Sequence, residues 1–320
     1  MAFPNVTDLV ATTLDSRTKE VADNVTKNNA GFVRMNEKGK IKTVSGGVTI
    51  LHELSYAENG NFGWYSGYDL LSVAAQDVIS AAQFAWKQAA VPVVISGLEK
   101  LQNSGREAML DLLDTRIGVA ESTMANQMAS AFYGDGTAYG GKALTGLGAA
   151  IVSSPSTGGS YGGIDRNTWA FWRNQTQSSS GASASTIQAM VQNLLYKQTR
   201  GKDRPDLGLF DNNLYSYLQQ SMQVNQRFTD SKLAEQGFMA LKYMGMDCVL
   251  DGGLGGYCPA NTAYFLNTDY LMLRPHKDRN MVALSPNGRQ AVNQDAEVTI
   301  LAWAGNLTCS NVSLQGYLGT

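Results

Sequence analysis

The spacing of hydrophobic positions changes several times along the chain, and each change predicts a different element. In residues 1–40, Val6, Leu9, Leu14, Val21 and Val25 fall on rough helical spacing among Thr, Asp, Lys and Asn. That pattern predicts one weak amphipathic helix in a polar arm, too polar to hold a core alone. Residues 41–96 switch to strand spacing. Val48, Ile50 and Leu54 alternate with Thr49 and Glu53, and Ala82, Phe84 and Trp86 alternate with Gln83, Ala85 and Lys87. Each run predicts a half-buried strand. Between them lie Tyr56, Phe62, Trp64, Tyr65 and Tyr68, interleaved with Gly60, Gly63 and Gly67. Glycines and aromatics mixed in this way predict an irregular tip rather than a tight turn. The result is a long hairpin, since about fifteen extended residues reach about 50 Å. It has little of its own to bury and is expected to lie against something else.

Residues 97–133 carry the longest helical pattern. Ser96 precedes Glu99, and Ser104 precedes Glu107, at capping-box spacing. The helix is therefore expected to start twice, with a break near Gly105. Met109, Leu113, Ile117, Ala120, Met124, Met128 and Ala131 then form one face, with Asp111, Asp114, Glu121, Asn126 and Ser130 opposite. Gly134 is the natural stop. Unbroken, the span would measure about 55 Å, which suits an elongated scaffold. Residues 134–183 are loop-rich, with Trp169, Phe171 and Trp172 as an aromatic anchor. Beyond them, helices are predicted over Ile187–Tyr196 and Asn213–Met222. Strands are predicted over Leu207–Phe210, Met246–Leu250, Thr262–Leu266 and Glu297–Ala304, with Val312–Leu318 continuing the last. Short mixed elements of this kind define an α+β class. No internal repeat of solenoid length is present.

Composition narrows the class. The chain has 320 residues, enough for one large domain or two modest ones. A hydrophobic content of 43% excludes disorder. Lys and Arg total 25 and Asp and Glu 27, a formal net charge of −2, which argues against a DNA-binding domain of the usual basic kind. Only 16% of residues are charged, against about 25% in typical domains. Much of the surface is therefore neutral, and contact with other subunits is one outlet for it. Cys248, Cys258 and Cys309 form neither an even disulfide framework nor a close pair. With His52 and His276 the only histidines, a zinc site is nearly excluded by ligand count, and no cofactor is implied. The first ten residues show no signal-peptide pattern. No run reaches the length of a membrane helix.

Three segments carry possible chemistry, and each has a plainer reading. Gly158-Gly159-Ser160-Tyr161-Gly162 matches a nucleophile elbow, with His276 downstream. The elbow needs a buried strand before the serine and a helix after it, and a Ser/Thr/Pro-rich loop precedes this one. Gly252-Gly253-Leu254-Gly255-Gly256 follows a predicted strand, but Pro259 blocks the helix that a phosphate loop requires. A turn between strands is expected instead. Arg274-Pro275-His276-Lys277-Asp278-Arg279 is the densest charge cluster. It reads as a solvated loop or, more sharply, as a salt-bridging or polyanion-facing loop at a subunit contact.

Further segments, taken with the order of elements, carry a resemblance. They are Met1-Ala2-Phe3-Pro4-Asn5, Glu58-Asn59-Gly60, Gly63-Trp64-Tyr65-Ser66-Gly67-Tyr68-Asp69 and Val91-Pro92-Val93-Val94-Ile95-Ser96-Gly97. They continue with Asp203-Arg204-Pro205-Asp206-Leu207, Phe265-Leu266-Asn267-Thr268, the Arg274–Asn280 run and Ala302-Trp303-Ala304-Gly305-Asn306-Leu307. Over nearly its whole length the chain resembles the major capsid proteins of tailed bacteriophages of the Hong Kong 97-type fold, as found in proteobacterial phages and prophages.

The resemblance implies a map. Residues 1–40 would be the N-terminal arm and 41–96 the extended hairpin, or E-loop. Residues 97–183 would form the peripheral domain with its spine helix. Residues 184–275 would form the axial domain, and 276–320 would return to the peripheral domain. Some relatives have permuted connectivity, so the hairpin-then-helix order is an expectation. The implied role is structural and non-enzymatic: self-assembly through hexamers and pentamers into an icosahedral shell around double-stranded DNA. The DNA would be enclosed without sequence-specific binding, and no membrane is involved. The implied partners are a separate scaffolding protein, a portal protein and, in some relatives, a cement protein. The shell would be assembled in the bacterial cytoplasm and reside in the virion. Phe62, Trp64, Tyr65 and Tyr68 at the tip, with Arg274, His276, Lys277 and Arg279, are the candidate inter-subunit contacts. Some relatives crosslink a hairpin lysine to a neighbour's asparagine; here Lys87 is the sole lysine between Val44 and Leu98 and lies on a strand and not at the tip, so the resemblance implies non-covalent assembly. The alternatives are a hydrolase using Ser160 and His276, a tail-tube or sheath subunit, and an encapsulin-like compartment.

Overall fold

The structure, a computed structural model, describes residues 29–102, 106–222, 240–252, 256–284, 289–290 and 295–320. The weak helix expected from Val6 to Val25, the break near Gly105 and the centre of the 252–256 glycine run fall outside them, as do the Met109 and Leu113 side chains.

The first described element is buried. α1 (Ala30–Glu37) begins at Asn29, whose side chain accepts from the N–H groups of Gly31 and Phe32 and caps the helix. Ala30, Phe32, Val33 and Met35 lie in the main core, and Phe32 packs on Phe132 with ring centroids 4.8 Å apart. A Cβ on Gly31 would sit 2.6 Å from the Phe132 ring, so only glycine allows this approach. The expected polar arm thus ends in a core helix. Arg34 adds an ionic tie, reaching Asp206 at 3.2 Å and Asp247 at 2.5 Å.

β1 (Ile50–Ser55) pairs antiparallel with β2 (Ile79–Phe84) from Ile50↔Phe84 to Ser55↔Ile79. Ile50, His52 and Leu54 face inward. Val48 was expected to join them but lies before the strand, 95% exposed. The second predicted strand also ends early. The chain breaks after Phe84 and resumes as β3 (Lys87–Ser96), leaving Trp86 at the bend. β3 leaves the hairpin and pairs with β14 (Ala296–Cys309) from Lys87↔Gly305 to Ser96↔Ala296. The other edge of β14 receives β11 (Leu271–Pro275), β12 (Val282–Ala283) and β13 (Arg289–Gln290) in turn. Residues 301–309 are buried throughout instead of alternating, so both faces of this stretch are covered.

The Ser96–Glu99 capping box forms as predicted, and α2 (Gly97–Gln102) follows it. α3 (Arg106–Tyr133) is the long helix, 28 residues, or about 42 Å at 1.5 Å per residue. Ile117, Met124, Met128 and Phe132 bury one stripe in the core that also holds Ile95, Leu301 and Trp303 of the five-stranded sheet.

A six-stranded sheet forms the second layer, ordered β6-β15-β10-β7-β9-β8. Its strands are β6 (Gln175–Ser178), β7 (Leu207–Phe210), β8 (Ala240–Tyr243), β9 (Met246–Leu250), β10 (Ala263–Leu266) and β15 (Gly316–Gly319). Both faces are covered. Phe210, Cys248, Ala263 and Phe265 pack on α4 (Ile187–Gln198) and α5 (Asn212–Ser221). Leu207, Leu209, Val249, Tyr264 and Leu266 point the other way, into the core that holds α1. β7 and β10 therefore read as unbroken apolar runs in which successive side chains serve different cores.

One expectation is corrected here. Val312–Leu318 does not continue the strand before it. Asn311 caps a turn by accepting from the N–H and hydroxyl of Ser313, and Gln315 N–H donates to Val312 O. β15 then pairs with β10 and β6 of the other sheet. Val312 and Leu314 are buried within the turn, and in sequence they mimic strand alternation. The chain's last strand accordingly joins the six-stranded sheet, not the sheet of β3 and β14.

Candidate assembly surfaces of the hairpin

The hairpin is anchored at its root. Phe84 meets Tyr161 edge-on at 5.2 Å, and Tyr161 stacks near Trp172 at 6.1 Å. Trp172 is buried, and its indole N–H donates to Tyr161 O at 2.9 Å. Farther out, Tyr56 packs on Phe171 at 5.7 Å and Trp169 at 5.9 Å. The turn between β4 (Ser160–Tyr161) and β5 (Ile164–Asp165) touches β2 directly, because Gln83 N–H donates to Gly162 O at 2.8 Å. Gly162 has φ +60°, and a Cβ there would lie 3.0 Å from Phe84 and 3.1 Å from Ala82. Beneath this turn, Arg166 is fully buried. Its Nη2 donates to the carbonyls of Ala149 and Ala150, and its guanidinium lies 5.3 Å from the Tyr161 ring centre. The predicted aromatic anchor of Trp169, Phe171 and Trp172 is thus real and grips the hairpin. Its partners Tyr56, Phe84 and Tyr161, and the buried Arg166, were not found from sequence, because contacts this distant in the chain leave no local pattern.

The tip has no such support. Trp64 is 94% and Tyr68 105% exposed, and Phe62, Tyr65, Leu70 and Val73 are also exposed. Phe62 and Trp64 touch each other edge-on at 5.7 Å. Polar bonds shape the loop instead. Ser72 Oγ donates to Asn61 Oδ1 at 2.8 Å, Asn61 N–H donates to Asn59 Oδ1 at 2.9 Å, and Ser66 N–H donates to Asp69 Oδ2 at 2.9 Å. The structure therefore leaves Phe62, Trp64, Tyr65 and Tyr68 facing solvent on one loop, with Phe62 and Trp64 in ring contact.

The charge cluster sits at the other end, at the hairpin's foot. Segment 41–44 runs beside β11 and the turn after it. Lys42 N–H donates to Leu273 O, and Lys277 N–H donates to Val44 O. His276 packs edge-on against Trp86 at 5.3 Å, and its Nδ1 accepts from Asp278 N–H at 3.1 Å. Lys277 and Arg279 are exposed, and Arg279 reaches Gln88 Oε1 at 3.5 Å. Arg274 is different. It is half-buried, donates to Leu51 O at 3.3 Å, and braces the root. His52, on the same inner side, has its pKa lowered to about 4, first by burial and then by the Arg274 cation. Of the four cluster residues, Lys277 and Arg279 present charge to solvent, whereas Arg274 and His276 hold the fold together.

The remaining chemical candidates have structural roles. Ser160 lies on a two-residue strand turning into β5, without the helix an elbow needs. All three cysteines are free and buried, and burial pushes the Cys258 and Cys309 thiols up to about 12. Among the described residues no group of His, Cys, Asp and Glu is placed to hold a metal ion. No described helix is long and apolar enough to cross a membrane.

Solved structures match this fold over most of the chain. A chain of the cyanophage A-1(L) capsid asymmetric unit matches 88% of this chain over 91% of its own, at 17% identity and TM-score 0.62. The capsid of an empty GTA particle matches over 88% of both chains, at 14% identity and TM-score 0.58. This is the Hong Kong 97-type capsid fold. A Mycobacterium phage Bobi chain shares it too, at 10% identity and TM-score 0.54 over 88% of this chain. No family model and no curated protein matches the sequence. The capsid fold is thus visible here through architecture, at identities where sequence comparison finds nothing.

Proposed function

We propose that this chain is a major capsid protein, which assembles through hexamers and pentamers into the icosahedral shell of a tailed phage. One observation carries the reading: the capsid fold extends over nearly the whole chain and projects an aromatic tip that its own core does not use. Large exposed apolar patches mark interaction sites, and aromatic anchors dominate contact energies. Phe62, Trp64, Tyr65 and Tyr68, with Lys277 and Arg279, are the inter-subunit contacts, and Arg274 and His276 fix the hairpin that presents them. The subunit acts by assembly and not by catalysis. Its near-neutral charge of −2 suits a wall that encloses DNA without gripping it.

In domain terms, the five-stranded sheet with α3 is the peripheral layer, and the six-stranded sheet with α4 and α5 is the axial layer. β6 and β15 belong to the axial layer by pairing, so its boundary is set by the sheet and not by a single stretch of sequence. A separate scaffolding protein, a portal and a cement protein are the expected partners, with assembly in the host cytoplasm and residence in the virion. Electron microscopy with sedimentation, on the chain alone and co-expressed with its neighbouring genes, tests the proposal. Closed shells or rings of five and six are expected. Open tubes would move the chain to a tail role, and a monomer under both conditions would overturn the reading.

A further inference from the structure

The loop between β1 and β2 holds the pair Asn59-Gly60, and both residues are exposed. An asparagine before a glycine is open to attack on its side-chain carbonyl by the glycine's own amide nitrogen, because no side chain shields that nitrogen. The turn does not need Gly60 for its backbone freedom. Its φ is not left-handed, and a Cβ there would meet only the end of the Gln76 side chain, 3.4 Å away at its nearest.

The loop sets up this attack. Asn59 Oδ1 accepts from Asn61 N–H at 2.9 Å, which folds the side chain back over the intervening peptide and brings Cγ toward Gly60 N. The main chain turns at the same place, where Phe62 N–H donates to Asn59 O at 3.2 Å. Asn61 is itself fastened across the loop. Its Nδ2 donates to Ala74 O, and its Oδ1 accepts from Ser72 Oγ at 2.8 Å and from Gln76 Nε2 at 3.4 Å. The Asn61 N–H is therefore a fixed donor on the oxygen where negative charge develops when Cγ is attacked. Among the described residues, Gly60 N–H and Asn59 Nδ2 donate to no protein group, so neither the nucleophile nor the leaving group is tied up.

We propose that Asn59 is a self-modification site, where the folded chain converts asparagine to aspartate and isoaspartate without an enzyme. Gly60 N loses its proton to solvent base and bonds to Asn59 Cγ. The Cγ–Nδ2 bond then breaks, and the nitrogen takes up a proton and leaves as ammonia. Water opens the resulting cyclic imide. Attack at Cγ leaves aspartate, and attack at the main-chain carbonyl carbon leaves isoaspartate, with the chain now running through Cγ. Aspartate keeps an oxygen for Asn61 N–H and adds negative charge to a stretch with no lysine or arginine from Thr43 to Trp86. Isoaspartate takes Asn59 O out of the main chain and removes the turn bond to Phe62.

Ageing the full chain in mildly alkaline buffer, followed by peptide mass spectrometry that separates aspartate from isoaspartate, tests the proposal. Asn59 is expected to convert about fivefold faster in the folded chain than in guanidinium chloride, the worth of one ordinary hydrogen bond to the developing charge. Both products are expected. Gly60→Ala, at an exposed position with room for the methyl group, is expected to melt like the parent and to convert several-fold more slowly. An Asn59 that stays intact in the folded chain, or that converts no faster than in the denatured one, would overturn the proposal. Aspartate without isoaspartate would also overturn it, as the mark of direct hydrolysis, and so would a folded Gly60→Ala chain that ages at the parent's rate. All of these readouts are made on the unassembled chain, so they stand apart from the shell reading.

Discussion

The root and the tip of the hairpin use the same residues for opposite ends. At the root, Phe84, Tyr161 and Trp172 are buried and interlocked, and the Trp172 indole N–H has its acceptor. At the tip, Phe62, Trp64, Tyr65 and Tyr68 face water and are positioned by hydrogen bonds among Asn, Ser and Asp. The root aromatics are therefore a stability device, and the tip aromatics cost solubility for no gain within the monomer. The proposed shell assembly has use for both, because a rigid root would present the tip before a neighbour covers it. Mutations that separate stability from assembly should sort the two sets cleanly.

The largest effect is expected at the root. Trp172→Ala removes a fully buried side chain and leaves Tyr161 O without its donor, so a loss of about 3–5 kcal/mol is expected in denaturant unfolding. A loss near zero would show that the aromatic ladder does not hold the hairpin. Gly162→Ala should cost less, about 1–3 kcal/mol, because it combines a positive φ with close contact to Phe84 and Ala82. Its particular signature is local. Hydrogen exchange should rise at Gln83, whose N–H is held by Gly162 O.

The root also carries a titration. His52 has its pKa lowered from 6.5 to about 4. The unfolded chain binds that proton more readily, so the contribution of neutral His52 is complete above about 6.5 and is lost as pH falls through about 4. Asp251 works in the opposite sense. Burial raises its pKa from 3.8 to about 6, against the Tyr133 and Asn29 hydrogen bonds, so its contribution is present at low pH and lost as pH rises through about 6. The two partly offset each other in the parent. His52→Gln should therefore make stability fall less between pH 6.5 and 4 than in the parent, as followed by the urea midpoint. Parallel profiles would remove His52 from the account.

Much of this was legible in the sequence where the interactions are local. The Ser96–Glu99 cap, the Ile117–Met128 stripe, and the strands Leu207–Phe210 and Met246–Leu250 all follow from spacing or capping. Inward parity on β1 was also legible, although Val48 falls before the strand begins. Long-range effects were not legible. Arg166 is buried by carbonyls 16 and 17 residues away, a distance at which no periodicity survives. β15 was misassigned because a turn can bury Val312 and Leu314 as well as a strand can. Within the charge cluster, sequence grouped Arg274 and His276 with Lys277 and Arg279. Only the packing of β11 against the hairpin separates the two that brace from the two that face out.

The smallest effect on the fold, and the one that best sharpens the comparison, is expected from Trp64→Ala. Trp64 is 94% exposed and meets the Phe62 ring edge-on. Surface truncations of this kind usually move stability by within about 0.5 kcal/mol, so the unfolding curve should overlay the parent's. Assembly should respond differently. A tryptophan buried at a contact is among the residues most often found to dominate it, and each subunit contributes one tip, so a modest loss per contact is multiplied around every ring. The expected result is an unchanged monomer with fewer shells and lower heat resistance of those that form, read by sedimentation and by melting of the assembled particles. If shell yield and heat resistance are unchanged, the tip aromatics are not the contact. If the monomer itself is destabilised, the tip packs on its own chain and the distinction between root and tip collapses. The two readouts fail independently, so each half of the comparison is tested by the same substitution.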